Sequence, residues 1–430
     1  MKYPIYIFLW LSLAGLSNEG FASQPDSVQA EYLSEWVQQV LENNPQLQAS
    51  SDQIEVMQTR IPQSKALPDP VVGVNFMNFP VNSFALDQEP MTGIQFSATQ
   101  MFPWPGKLGI KGQIAKQGTE ISRLQYQELK NQLTNRAKQL YYELYYIDQS
   151  LETVRNNQEV LQHFVKIAES KYEVGNGLQQ DVIKAQVEFS KMMDQEISLQ
   201  NKRESLEAEI NTLMNRSPDI PLGRPILPEH VTATYDLATL SQMADDYRPL
   251  LKAWQQKVDQ SRRQIVLAKK NYYPDLKVGL AYTQRSKLAT GMGGADFLSL
   301  MLGVNVPIYH RQKQEMKVEE MKFSRNSVQS KLSDVRSGVY RQLEKQLSGL
   351  NRNQQLIQLY ETGLIPQTEQ SLNAATAGYQ TGKVDFLTLL NNQITLFNTR
   401  LAYYRALVDY QKNLAELDAI VGISLTDPSK

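Results

Sequence analysis

The sequence contains no cysteine and only three histidines, His163, His230 and His310. Without cysteine there is no disulfide framework, no thiolate metal site, no cysteine nucleophile and no acylated cysteine to anchor a lipoprotein. The histidines are scattered without ligand spacing and read as solvated surface, so no metal site is expected. Net charge is −1 at pH 7, and no basic patch with interleaved aromatics occurs, which leaves nothing to recruit nucleic acid. No P-loop, Gly-x-Ser-x-Gly, His-Glu-x-x-His or Rossmann glycine pattern is present. Neither an enzyme activity nor a cofactor is expected, and if the protein moves solute another component supplies the energy.

Long apolar runs are absent too, apart from one. Ile5 to Leu16 follows Lys2, precedes the small-residue exit Gly20-Phe21-Ala22, and is too short to cross a bilayer as a helix. Residues 1–22 therefore read as a signal peptide. The chain is expected to be exported, and any membrane passage must use an architecture other than apolar helices.

What is present is a unit written twice. Tyr172-Glu-Val-Gly175-Asn-Gly177 returns as Tyr379-Gln-Thr-Gly382, displaced by 207 residues. Both copies follow a long heptad-patterned segment and open another, so each reads as the tip of an antiparallel helical hairpin whose glycines end a helix cheaply. In the first ascending arm Leu140, Leu144, Ile147, Leu151, Val154, Leu161, Val165, Ala168 and Tyr172 form a coiled-coil seam, with Gln158 out of type. The return arm carries Val182, Ala185, Phe189, Met192, Leu199, Leu206, Ile210 and Leu213, skipping Glu196 and Arg203. In the second copy a helical pattern runs from about Gln312 to Ala375. Beyond the tip, Leu387, Leu390, Ile394, Phe397, Leu401, Tyr404 and Val408 continue to about Val421.

Other motifs repeat with the tips. Asn44-Pro45 is echoed by Arg248-Pro249, and Pro68-Asp69 by Pro274-Asp275. The expected division is 23–215 for the first repeat, 216–235 for a linker marked by Pro218, Pro221, Pro225 and Pro228, and 236–430 for the second. Ahead of each long helix lie two alternating segments. Val72, Val74 and Phe76 oppose Gly73 and Asn75; Ile94, Phe96 and Ala98 oppose Gln95, Ser97 and Thr99. From Phe297 to Val306, Leu298, Leu300, Leu302, Val304 and Val306 oppose Ser299, Gly303 and Asn305. Period 2 with one apolar and one small or polar face is a strand signal. Such strands, about ten residues long, match a tilted transmembrane strand. Four cannot close a barrel, and open edges cannot lie in lipid, so several copies must share one.

On these residues the chain resembles the TolC-type outer-membrane channel proteins of Gram-negative export systems. The carriers are the duplicated Tyr-x-x-Gly tips, Asn43-Asn-Pro-Gln-Leu47, Phe102-Pro-Trp-Pro-Gly-Lys107, Ile210-Asn-Thr-Leu-Met214 and Leu417-Asp-Ala-Ile-Val-Gly422, spread over essentially all of the mature chain. The resemblance implies a mainly α protein with a β-barrel part: duplicated helical hairpins forming a periplasmic tunnel, and four transmembrane strands per protomer closing a twelve-stranded barrel in a homotrimer. It also implies a periplasmic adaptor, an inner-membrane RND-type pump, a place in outer-membrane lipid and passive export. The Leu-Pro-Asp-Pro start and Pro-Trp-Pro-Gly-Lys exit are most similar to members paired with heavy-metal pumps. The competing reading, a periplasmic adaptor or structural coiled-coil protein without membrane insertion, fits less well because adaptors carry one hairpin rather than two.

The candidate site is the pair of tips: Tyr172, Gly175 and Asp181 in the first, Tyr379, Gly382 and Asp385 in the second. Repeated around a threefold axis, each aspartate would form a carboxylate ring, which selects cations; each also suits the start of a helix. The tyrosines would brace a closed tip through hydroxyl bonds or serve as plain seam residues. Thr388 and Asn391 stand where the family commonly has aspartates, which weighs against an acidic constriction on that side. Met77, Met91, Met101, Met292 and Met301 cluster near the strands. Thioethers suit soft ions, but gap-filling on apolar faces is the preferred reading.

Overall fold

The computed structural model describes residues 30–227, 234–288 and 290–425. The expected signal peptide, His230 and part of the proline-rich linker lie outside the described residues. In chain order, β1 (Ala30–Glu31) leads to α1 (Leu33–Asn43) and α2 (Pro45–Lys65). β2 (Val71–Met77) and β3 (Gly93–Phe102) follow, then α3 (Lys107–Glu173) and α4 (Gln179–Leu213). After β4 (Arg224–Pro225) come α5 (Leu237–Tyr247), α6 (Pro249–Lys270), β5 (Leu276–Gln284) and β6 (Phe297–Val304). A π-helical turn at Arg311–Glu315 opens α7 (Met316–Leu359). A second at Tyr360–Leu364 joins it to α8 (Ile365–Gln380), and α9 (Phe386–Val421) completes the helices.

α3 is the spine. Its 67 residues span on the order of 100 Å at 1.5 Å per residue. α2, α4, α6 and α9 all pack along it, and α7 packs on α6 and α9. The expected seam is buried at Leu140, Leu144, Ile147, Leu151, Val154, Leu161 and Ala168. The polar residues that interrupt the two arms find each other. Glu196 accepts from Gln158 Nε2 at 2.9 Å and from Arg155 Nε at 2.8 Å, and Arg203 Nε donates to Asp148 at 2.7 Å. Between α3 and α9, Glu143 receives both Nη atoms of Arg405 at 3.0 Å, and Lys412 as well. Burial opposes charge on Glu143, but these bonds hold its carboxyl at about 2.

Two helix-to-helix joints make the short helices into columns. Asn44 Oδ1 accepts from Gln46 N at 3.0 Å, capping α2, while its Nδ2 donates to Leu213 O at 2.9 Å at the end of α4. One side chain thus satisfies the free backbone groups of two helix ends. In the other column α6 meets the end of α9, where Gly422 (φ +90°) is so close that a Cβ would lie 3.0 Å from Arg248 Cα. Arg248 cannot cap as Asn44 does. Instead Glu128 of α3 reaches across, accepting from Leu250 N at 3.2 Å and from the buried Arg248 Nη2 at 3.1 Å.

The four longer strands form one antiparallel sheet in the order β2-β3-β5-β6. The Pro-Trp-Pro-Gly-Lys exit locks its two halves together. Lys107, almost fully buried, donates to Asp275 Oδ1 at 2.7 Å and to Tyr273 O at 3.0 Å; Trp104 N donates to the same carboxylate at 2.7 Å, and its ring stacks on Tyr273 at 5.2 Å.

Three sequence expectations shift. β6 ends at Val304, not Val306, because Pro307 follows and Ile308 N folds back to Val306 O at 2.9 Å. The second ascending arm is not one uniform helix: a π turn absorbs an extra residue just before Pro366, which has no N–H to give to Thr362. In α9 the core positions are Phe386, Leu389 and Leu390, while Leu387 is exposed, because α9 serves both α3 and α8 rather than a single seam.

Glu128→Ala would leave Arg248 buried without its counter-charge and α6 without its cap. We expect a loss of about 3–5 kcal/mol, as for other broken buried pairs, read as a lower denaturation midpoint by circular dichroism. Adding Arg248→Met should recover part of it; a wild-type midpoint for Glu128→Ala would refute the joint.

Candidate functional site

Both hairpins end in the same hydrogen-bonded turn. At the first, Gly175 N donates to Tyr172 O at 3.0 Å and Asn176 N to Lys171 O at 2.8 Å; at the second, Gly382 N donates to Tyr379 O at 3.2 Å and Lys383 N to Gly378 O at 2.8 Å. Gly175 and Gly382 each have φ +75°, a backbone that side chains other than glycine's rarely adopt. The turns also share a tight contact, resolved in opposite ways. A Cβ on Gly177 would sit 3.0 Å from Lys171 Cβ, and one on Gly378 would sit 2.5 Å from Val384 Cγ2. These are matching positions, so each tip has one bulky residue and one glycine, exchanged between the two places.

The tyrosines do not play matching parts. Tyr172 is 48% exposed and lies beyond the buried seam, which ends at Ala168. Tyr379 is 5% exposed, its ring set edge-on against Phe386 at 5.5 Å. Lys171 Nζ lies 4.0 Å above that ring and donates to Tyr379 O, tying the end of the first hairpin to the end of the second. Among the described residues neither tyrosine hydroxyl has a hydrogen-bond partner, so no hydroxyl brace forms within the protomer. Burial, and then the Asp181 carboxylate, push the Tyr379 hydroxyl above the usual tyrosine range.

The aspartates divide similarly. Asp385 caps α9, accepting from Thr388 N at 2.7 Å, and that backbone bond holds its carboxyl below the usual carboxylate range. Asp181 lies in the first turn of α4, whose cap position is Leu178 and makes no side-chain bond. The structure therefore gathers Tyr379, Asp181, Lys171 and Phe386 at the join of the tips and leaves Tyr172, Gly175, Gly382 and Asp385 on the exposed rim. Lys171 and Phe386 escaped the sequence reading. The signal for Lys171 was its neighbourhood: it precedes Tyr172 where the second copy has glycine.

The sheet has two unlike faces. Asn75 Nδ2 donates to Gln95 Oε1 at 3.2 Å, and Gln95 Nε2 to Thr283 Oγ1 at 3.2 Å, a polar ladder over three strands. Gly73, Ser97, Ala281 and Ser299 form the next row of that face. On the other face Val72, Val74, Phe76, Phe96, Leu280, Leu298, Leu300 and Leu302 are exposed, Leu300 by 68%. Among the described residues β2 and β6 each keep one unpaired edge. Among the described residues no helix is long and apolar enough to cross a membrane. Nor, among the described residues, is any group of three or more His, Asp or Glu placed to hold a metal ion. The methionines do not converge: Met77 ends β2, Met101 and Met301 lie toward the helical end of the sheet, and Met91 and Met292 lie in its two loops.

The arrangement has known counterparts. Residues 36–216 and 240–423 match the model of the family described as outer membrane efflux protein. The chain is 19% identical over 387 residues to the cobalt-zinc-cadmium resistance protein CzcC of Cupriavidus metallidurans, covering 88% of this chain and 87% of that one. It is 22% identical over 439 residues to the outer membrane protein TolC of Vibrio cholerae, covering 98% and 96%. The solved outer-membrane channel OprN superposes with a TM-score of 0.79 at 15% identity, over 91% of this chain and 89% of that chain. With its helical hairpins, its four-stranded sheet and a family match over both halves, the chain belongs to the outer membrane efflux protein family.

Proposed function

We propose that this chain is one protomer of a passive export duct that carries solute across the periplasm and outer membrane of a Gram-negative cell. The observation that carries this reading is the sheet: four strands with an exposed apolar face, two unpaired edges, and a rigid lock onto helices on the order of 100 Å long. In lipid every backbone donor and acceptor needs a partner, so the free edges of β2 and β6 must pair with other copies. Three copies would give twelve strands around an open bore. The polar ladder would face water and the apolar face lipid.

The halves 23–215 and 236–430, joined by the linker 216–235, would supply two strands and one hairpin each, after export directed by residues 1–22. A periplasmic adaptor and an inner-membrane RND-type pump would supply the energy. Heavy-metal export is the substrate class suggested by the resistance protein among the relatives. The tips would form the periplasmic entrance, with Lys171 holding the two hairpins together. Opening needs one hairpin to swing away, and a partner can drive it only by binding the open form more tightly.

Two experiments test this reading. Leu300→Arg should block insertion, since a charge facing lipid near the midplane costs about 2–4 kcal/mol, while Ser299→Arg on the opposite face should insert and run as a trimer in mild detergent. Equal behaviour of the two variants, or a wild-type monomer, would count against the shared barrel. At the tips, Lys171→Ala should raise single-channel conductance in planar bilayers without dissociating the trimer. Asp181→Ala should lower cation preference. If neither variant changes the currents, the entrance is not at these residues.

A further inference from the structure

The four long strands contain one lysine, Lys277, and no arginine, histidine, aspartate or glutamate. Its place is set by register. Lys277 pairs with Met101 of β3 and Gly303 of β6, two residues along β5 from Gly279, and so shares a face with Gly279, Ala281 and Thr283. That is the small and polar face carrying the Asn75–Gln95–Thr283 ladder. Lys277 is exposed and makes no ion pair among the described residues. The nearest carboxylate along the strand, Asp275, is already committed to Lys107 Nζ and Trp104 N, both at 2.7 Å. Gly303 beside it offers no side chain, and a Cβ there would still lie 3.8 Å from Lys277 Cβ.

The other end of the same sheet is different. Arg285, just past β5, has its guanidinium held by Pro90 O and Ala295 O at 2.8 Å and stacked 3.9 Å from the Phe297 ring centre, with Asp296 accepting from its backbone N at 3.0 Å. Its charge is used to tie the two loops together and has a carboxylate beside it. The Lys277 ammonium has neither.

We propose that Lys277 is a selectivity residue: in the assembled barrel its symmetry copies form a ring of uncompensated positive charge at the helix-proximal end of the lumen. There the ring favours anionic solutes, those bearing carboxylate, phosphate or oxyanion groups, over bare cations, and so acts in the opposite sense to the Asp181 carboxylates at the periplasmic entrance, a second filter in series with the first. A ring of like charge in an aqueous passage acts on every ion that crosses it, and with no acidic residue in the four strands its field is not cancelled within them. This rests on the shared barrel proposed above. A lysine at a strand end could also reach a lipid phosphate, but the register places Lys277 opposite the lipid-facing leucines, on the face of the polar ladder.

The test is the reversal potential of the reconstituted full-length protein in a potassium chloride gradient. Lys277→Gln should lower the chloride-to-potassium permeability ratio by about twofold or more. Lys277→Glu should lower it further, and Lys277→Arg should keep the wild-type value. Because the chain has no cysteine, Lys277→Cys carries the only thiol. A cationic methanethiosulfonate on it should restore the wild-type ratio and an anionic one should depress it. Conducting variants with one common reversal potential, or a thiol that charged reagents do not change, overturn the ring while leaving the duct intact. The same series is read in the Lys171→Ala background, where the tips are released; a protein that conducts in neither background overturns the duct and the ring with it.

Discussion

A buried helix end must dispose of its free donors and acceptors, and this constraint shapes the whole frame. Two short helices can act as one long column beside α3 only if the joint between them is satisfied. At α2–α4 a single asparagine serves both ends. At α6–α9 that position is arginine, which can only donate, so a glutamate from α3 supplies the acceptor and the counter-charge. The second joint therefore fastens three helices instead of two and places a buried ion pair about a third of the way along the spine. The sheet depends on both columns, because β2 follows α2 and β5 follows α6 directly.

Much of this was legible because it rests on local chemistry. The Gly175 and Gly382 turns, the strand spans and the seam residues follow from backbone freedom and periodicity, which act over a few positions. Polar breaks in the seam were visible as breaks, yet their pairing was not: that Gln158 meets Glu196 depends on how the arms align after the turn. The unlike fates of Tyr172 and Tyr379 were hidden for a related reason. The motif repeats, but its surroundings do not; Tyr379 is covered by Lys171 and Phe386, while nothing equivalent covers Tyr172. Leu387 fits a single seam, and only the packing of α9 on two helices reveals that Phe386 and Leu389 are inside.

The divergence between the halves bears on how a duct of this kind could open. The first ascending arm is 67 residues of unbroken α-helix. The second carries a π turn at Tyr360–Leu364 followed by Pro366, and Thr368 Oγ1 back-bonds to Leu364 O at 2.7 Å. A π turn with a proline after it is where a long helix gives way first under a bending load. Here it is fastened to α9 by two polar contacts: Tyr403 Oη donates to Glu361 at 2.9 Å, and Arg400 Nη2 to Glu369 at 2.8 Å. Both lie well away from the tip, so the compliant point of the second hairpin and the Lys171 contact at its end are separate features. A movement of that hairpin would be resisted at the tip by one cation and at the bend by exposed polar pairs, each worth little in water. The first hairpin has no such bend and is tied along its length by Glu196 and Arg203. The second hairpin is therefore the more compliant of the two, even though the two turns at their tips share one hydrogen-bond pattern.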